Sequence, residues 1–348
     1  MIKKKTVPID TSEKELFGLL NGKTINSYRL SNSNGMQLKV MNYGATITEL
    51  KIPLKNGDLV DVVLGFNTLD GYLKSFNLVA PPYFGAMVGR YAGRINNSTF
   101  NLNGERFQLN SNNKNHSIHG GKKGFSQKKW TVEKAINTIN SSVTLTYSSP
   151  AGEENYPGKL SVELTYTISE SDELIIECSA TTTQDTIVNL TNHSYFNLDG
   201  HQAEVSNQEL TINAQKIVET TEENIPTGRY LSLKNNDFDF RFSKKCATKI
   251  DNTFVLQEGN EFAASLFSKK NKLKMDVFTN QPAVHVYVGG NCFNIIKGKQ
   301  DANYHSLSGI CFETQNFPDA PNHDHFPSSI LRKGDRYLHK TIYKFESF

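Results

Sequence analysis

The chain has 348 residues, 37% of them apolar, which suits two ordinary domains or one large β structure and argues against wholesale disorder. Its 38 basic and 35 acidic residues nearly balance at a net charge of +3 and are spread along the sequence, so no basic stripe for nucleic acid is present. Cys178, Cys246, Cys292 and Cys311 stand far apart without a CxxC pair, which argues against a zinc finger or disulfide framework and for reduced thiols in a cytoplasmic protein.

In chain order, the opening "MIKKKTVPIDTSEKELFGLL" begins basic but contains no continuous apolar stretch, so a secretory signal is not expected. No apolar run approaches the length of a membrane span. Thr11 to Leu20 is the one helix candidate, with Thr11 or Ser12 as cap and acids in the first turn, although it reads equally well as a loop entering a strand. Beyond it the dominant period is two. Val143, Leu145 and Tyr147 alternate with polar residues in "SSVTLTYSS", as do Leu160, Val162, Leu164, Tyr166 and Ile168 in "LSVELTYTIS" and Val284, Val286 and Val288 in "AVHVYVGG". Asn56-Gly57, Asn103-Gly104 and Asp199-Gly200 punctuate these runs as turns. The pattern predicts a single all-β domain over residues 1–348, a large antiparallel β-sandwich with few short helices.

Four separated segments carry the residues with chemical potential. "GAMVGRYAGRI", from Gly85 to Ile95, sets Arg90 and Arg94 among glycines; a guanidinium fork beside backbone that admits close approach suits vicinal hydroxyls or a carboxylate. "NHSIHGG", from Asn115 to Gly121, offers His116 and His119 in what the paired glycines mark as a loop. In "VNLTNHSYFNLDG" strand alternation groups His193 with Asn189, Thr191 and Tyr195, opposite Val188 and Leu190, as the wall of a pocket would be. In "GICFETQNF" the run puts Cys311, Glu313 and Gln315 opposite Ile310 and Phe312. If the Ile/Phe face is core, Glu313 projects into whatever the other face lines. No serine or cysteine sits in a nucleophile elbow. One acid and one base amid hydrogen-bonding side chains move two protons, which suits isomerisation at a carbonyl or hemiacetal without a cofactor.

Eight motifs in order resemble the aldose 1-epimerase (galactose mutarotase) family: "NYGATI" at Asn42, "GRYAGRI" at Gly89, "HSIHGG" at His116, "TNHSYFNLDG" at Thr191, "IPTG" at Ile225, "IDNTFVL" at Ile250, "TNQPAVHVY" at Thr279 and "ETQNFPDAPNH" at Glu313. The resemblance covers nearly the whole chain. It implies a β-supersandwich that interconverts the anomers of a free aldose, galactose or glucose, with no metal and no cofactor. It implies Glu313 as general base, His193 as general acid and His119 as a second histidine near the ring oxygen. It also implies Arg94 and Asp251 as sugar ligands and Gln281 as a further pocket residue. The expected partner is a monosaccharide, with no nucleic acid or membrane, and the protein a monomer or homodimer. Departures are Gly93 where many members carry Asn, His116 with no role, and His323 and His325 in a downstream loop. Rival readings are an epimerase for a phosphorylated hexose, with Arg90 as the spare cation, a non-catalytic sugar binder, and a metal hydrolase built on His119, His193, His323 and His325.

Overall fold

Alternation in the sequence becomes alternation in burial. Leu160–Ile168 buries Leu160, Val162, Leu164, Tyr166 and Ile168, and pairs over its whole length with Ser141–Ser149 on one side and Glu173–Thr182 on the other. The computed structural model describes residues 14–136, 139–259, 261–289 and 295–348. Cys292 lies outside them, while Cys178, Cys246 and Cys311 are buried free thiols.

Two large antiparallel sheets and a smaller one organise the chain. The nine-stranded sheet runs in the order Thr131–Ile136, Ser141–Ser149, Leu160–Ile168, Glu173–Thr182, Tyr337–Ser347, Leu273–Thr279, Phe262–Ser268, Glu209–Ile212, Lys244–Lys245. The six-stranded sheet runs Tyr195–Phe196, Ile310–Gln315, Ala283–Val288, Ile250–Leu256, Ala214–Thr220, Pro226–Ser232. A five-stranded meander covers Lys14–Leu20 through Leu59–Asp61. One apolar cluster joins all three, with Leu38, Val40 and Ile47 from the meander, Leu164, Val277 and Tyr343 from the nine-stranded sheet, and Phe254, Val284, Val286, Ile310 and Phe312 from the six-stranded one. Burying this much aliphatic and aromatic surface is the main force holding the layers together.

Of the two readings open at Thr11–Leu20, helix or loop entering a strand, the described part takes the strand. Lys14–Leu20 pairs with Lys23–Ser31, and Thr11, Ser12 and Glu13 lie outside the described residues. The reason is Asn21-Gly22, both at positive φ, a two-residue turn that folds the segment into a hairpin. The three expected turns do form, and Asn103-Gly104 joins Thr99–Leu102 to Glu105–Gln108 with both residues at positive φ. Among the described residues the one α-helix is Leu69–Ser75, where the Thr68 hydroxyl accepts from the Gly71 N–H at 3.3 Å. No helix among them is long and apolar enough to cross a membrane.

A strand with both faces buried positions the site. All six residues of Ile310–Gln315 are buried. Ile310 and Phe312 enter the main core, and the Thr314 hydroxyl meets Thr341 at 2.5 Å on the nine-stranded sheet. Cys311, Glu313 and Gln315 point the other way, away from the sandwich interior.

Candidate active site

On that outer side lies a cleft of about 380 Å3, lined among others by Tyr83, Gly93, Arg94, Asn113, His119, His193, Asp251, His285, Tyr287 and Glu313. Its floor comes from adjacent strands of the six-stranded sheet. Glu313 pairs directly across from His285, and His285 directly across from Thr253, so three cleft-facing positions stand side by side. Asp251 projects two residues before Thr253, on the same face.

His193 sits where the strand alternation breaks, between Thr191–Asn192 and Tyr195–Phe196. Its ring stacks on Tyr195, with centroids 5.3 Å apart. Its Nε2 lies 3.5 Å from Glu313 Oε1, and its Nδ1 lies 3.6 Å from Cys311 Sγ. Both members of the pair are almost wholly buried, His193 4% and Glu313 2% exposed. Burial pushes the His193 imidazole below its ordinary value, and the Glu313 charge opposes that shift. A ring shifted this way gives up a proton readily once it carries one.

His119 is placed by its backbone. It has φ 52°, Gly120 and Gly121 follow at φ 88° and 102°, and a Cβ on Gly120 would stand 1.9 Å from the Gly89 carbonyl oxygen. The Gly93 N–H donates to His119 Nδ1 at 3.3 Å, which leaves the Nε2 nitrogen to carry the ring proton. Gly93 itself is at φ 76° with Pro318 2.9 Å from where its Cβ would be, so the turn fits here because the residue has no side chain. Tyr83 packs edge-on against His119 at 4.9 Å, and the two histidine rings are 5.3 Å apart. Burial first, then the charges of His193, Arg94 and His285, hold His119 well below the ordinary imidazole value and therefore neutral.

Arg94 and Asp251 supply opposite hydrogen-bonding character on the walls. Arg94 Nε donates to Asn113 Oδ1 at 3.1 Å, leaving the far end of the guanidinium for the cleft. Asp251 receives His285 Nε2 on Oδ1 at 3.0 Å and Asn224 Nδ2 on Oδ2 at 2.9 Å. Burial alone would raise its carboxyl; the hydrogen bond and charge of His285, then Arg94 and Lys249, outweigh it and hold the group below the usual carboxylate value.

A histidine and a glutamate in contact beneath polar side chains suit proton transfer on a polar substrate, chemistry that several folds can host. The profile described as aldose 1-epimerase matches residues 26–344. The chain belongs to the aldose 1-epimerase family. It is 38% identical over 337 residues to the galactose mutarotase of Bos taurus, covering 94% of this chain and 95% of that one. It is 32% identical to the aldose 1-epimerase of Escherichia coli (strain K12), covering 91% and 94% of the two chains. Among solved structures, the galactose 1-epimerase of Lactobacillus acidophilus NCFM aligns with a TM-score of 0.83 at 28% identity, over 96% of this chain and 98% of that chain. As an aldose 1-epimerase the chain is an isomerase that interconverts the anomers of aldoses.

Five of the six residues expected in this epimerase's site meet in the cleft: Glu313, His193, His119, Arg94 and Asp251. Gln281 does not. It precedes the strand Ala283–Val288, four residues from His285 and so roughly 13 Å along an extended chain. Its amide bonds the Asn280 side chain and the Leu338 carbonyl, and it lines a separate groove of about 1040 Å3. The residues of that motif that reach the cleft are His285 and Tyr287, and the signal was present: both lie opposite Val284, Val286 and Val288, the face that packs into the core. Asn113, Asn224 and Tyr83 come from loops whose convergence no local pattern encodes.

Other candidates have structural work. Arg90 is 2% exposed and donates to the carbonyls of Pro157 and Gly158 at 2.8 and 2.9 Å and to the Ser149 hydroxyl at 2.7 Å, which removes the spare cation of the phosphorylated-sugar reading. Asn189 ties Ala92 and Asn316, and Thr191 donates to the Thr314 carbonyl, so neither belongs to the wall expected of them. His116 accepts from the Asn97 N–H on Nδ1 and meets Glu223 with Nε2 at 3.2 Å, anchoring the loop that carries Asn224. His323 pairs with Asp319 and His325 with the Gly228 carbonyl, and His325 faces the larger groove. The donor atoms of His119, His193 and Glu313 lie within 4.8 Å of one another, a set able to hold a metal ion as well as to pass protons.

Proposed function

We propose that Glu313 is the general base and His193 the general acid of anomer interconversion, acting on free galactose and glucose in the cytoplasm. The observation that supports this most directly is the 3.5 Å separation of His193 Nε2 and Glu313 Oε1 at the floor of the cleft. A hemiacetal presents two oxygens on one carbon, and this pair addresses both. Glu313 takes the O1 proton while His193 gives its proton to the ring oxygen, opening the pyranose to an aldehyde. Rotation about C1–C2 turns the other carbonyl face to the ring hydroxyl. Closure reverses the transfers and leaves both groups as they began.

Neutral His119 stands beside the ring oxygen as a hydrogen-bond donor, and Arg94 with Asp251 orients adjacent hydroxyls. The whole chain acts as one β domain, as monomer or homodimer, and the reaction redistributes protons without a cofactor. Unpaired thiols at Cys178, Cys246 and Cys311 accord with a reducing compartment.

Polarimetry of freshly dissolved α-D-galactose and α-D-glucose, with and without chelator, tests the reading. The expected result is accelerated decay to the spontaneous equilibrium rotation, indifferent to chelator. Loss of activity on chelation would assign the His119, His193 and Glu313 donors to a metal instead, and decay no faster than the blank for both sugars would overturn the proposed substrates.

A further inference from the structure

We propose that His285 is a positioning residue of this site, a doubly protonated imidazolium that links the sugar-binding acid Asp251 to the base Glu313 and must keep its charge for full activity. The inference rests on the acid–base reading above.

The geometry comes first. Both ring nitrogens face oxygen: Nε2 meets Asp251 Oδ1 at 3.0 Å and Nδ1 meets Thr253 Oγ1 at 2.9 Å. Asp251 is ionised, so Nε2 must donate, and a hydroxyl accepts as readily as it donates, so Nδ1 can donate too. The ring is thus held on both sides in the plane its cation requires.

The charges around it point the same way. From the neighbouring strand Ile250–Leu256 it faces Asp251, and from Ile310–Gln315 it faces Glu313 directly across the pair. Arg94 is the fixed cation nearby, His119 and His193 face it across the cleft, and Tyr287 shares its own strand. Two carboxylates, Asp251 and Glu313, flank the ring, while Arg94 and, further along the wall, Lys122 and Lys249 are the fixed cations of the neighbourhood. Burial works against the charged ring, but the Asp251 hydrogen bond and charge, with Glu313 adding, more than compensate and raise His285 above the ordinary histidine value.

Two consequences follow. A cation opposite Glu313 gives that buried carboxylate a partner of opposite charge. Clamping Asp251 Oδ1, while Asn224 holds Oδ2, fixes the acceptor offered to a sugar hydroxyl. The sign for pH is definite. Because the folded value is raised, the charged form is complete below the ordinary histidine range and is lost as pH rises through the higher folded value. Activity therefore declines on the alkaline side. Loss of the His193 proton falls at lower pH, since that group is shifted the other way.

The test has an arm that needs no substrate. Nitrogen-15 NMR of the wild-type imidazoles should show both His285 nitrogens protonated at neutral pH, titrating above the free-histidine midpoint. Asp251→Asn and Thr253→Val should each move that midpoint down. In kinetics, His285→Gln keeps a donor for Asp251 but no charge; kcat/KM should fall about tenfold, mostly in kcat, and the highest-pH limb of the profile should vanish. A neutral His285 in the wild-type spectrum, or a His285→Gln profile with an unchanged alkaline limb, would overturn the proposal. Absence of any mutarotation by the wild type would instead count against the reading it rests on, and the NMR arm would still decide the protonation of His285.

Discussion

Replacing Glu313 by glutamine tests the base with little disturbance of shape. The amide is isosteric with the carboxylate, so no cavity opens in a position only 2% exposed, and the strand keeps its backbone ladder to Ala283–Val288. Two losses coincide. The variant has no group to accept the O1 proton, a role worth about 10²–10⁴ in rate, or about 3–5 kcal/mol. It also removes the anion 3.5 Å from His193. For unit charges at that distance, an effective dielectric near 20 gives about 5 kcal/mol of support for the imidazolium. Both losses concern one proton shuttle, so they overlap rather than add. The expectation is a fall of about 10³-fold in kcat with KM changed less than about threefold. Polarimetry of α-D-galactose, corrected for spontaneous mutarotation, measures it, and NMR should show His193 harder to protonate than in the wild type. A variant that retains a tenth of wild-type activity would refute Glu313 as the base.

The two arginines of one motif should behave oppositely. Arg90→Met strands buried carbonyls of Pro157 and Gly158 and should cost about 3 kcal/mol or more in urea denaturation, with KM unchanged in the protein that folds. Arg94→Met should leave stability within about 1 kcal/mol and raise KM about tenfold. Gly120→Ala would push a methyl into the Gly89 carbonyl at φ 88°, costing about 3–5 kcal/mol and misplacing His119; thermal denaturation reads the first effect and mutarotation rate the second. Asp61 is buried with Lys299 Nζ at 2.6 Å and His201 Nε2 at 3.2 Å. Burial would raise its carboxyl, but Lys299 and His201 outweigh that and lower it, so the stability it contributes is present above about pH 4 and is lost as pH falls through the depressed folded value. Asp61→Asn should cost about 3–5 kcal/mol at pH 7, and urea midpoints of variant and wild type should converge in acid.

The strands were legible because period two is written into the chain wherever one face is buried, as in Leu160–Ile168. Glu313 was legible for the same reason: an acid opposite Ile310 and Phe312 has to face something other than core. His285 obeys the same rule opposite three valines, whereas Gln281 in the same motif lies beyond the strand's end. At Lys14–Leu20 the short run allows helix or strand, and the Asn21-Gly22 turn that follows it decides for the strand. His193 resisted local reasoning, since Asn189 and Thr191 do not share its wall once the strand breaks at His193–Ser194. Asn113, Asn224 and Tyr83 arrive from loops, and loop convergence depends on the packed sheets beneath.

The placement of Glu313 on a strand locked between two layers has an evolutionary and practical consequence. The reactive floor is part of the sandwich, whereas Tyr83, Asn113, Lys122 and Asn224 sit on connections outside the strands. The strand that carries Glu313 and the connections that line part of the cleft are thereby separate segments of the chain. Exchanging the connections around Asn113 or Asn224 between relatives should retune which hydroxyl pattern is accepted while leaving amide hydrogen exchange along Ile310–Gln315 as slow as before.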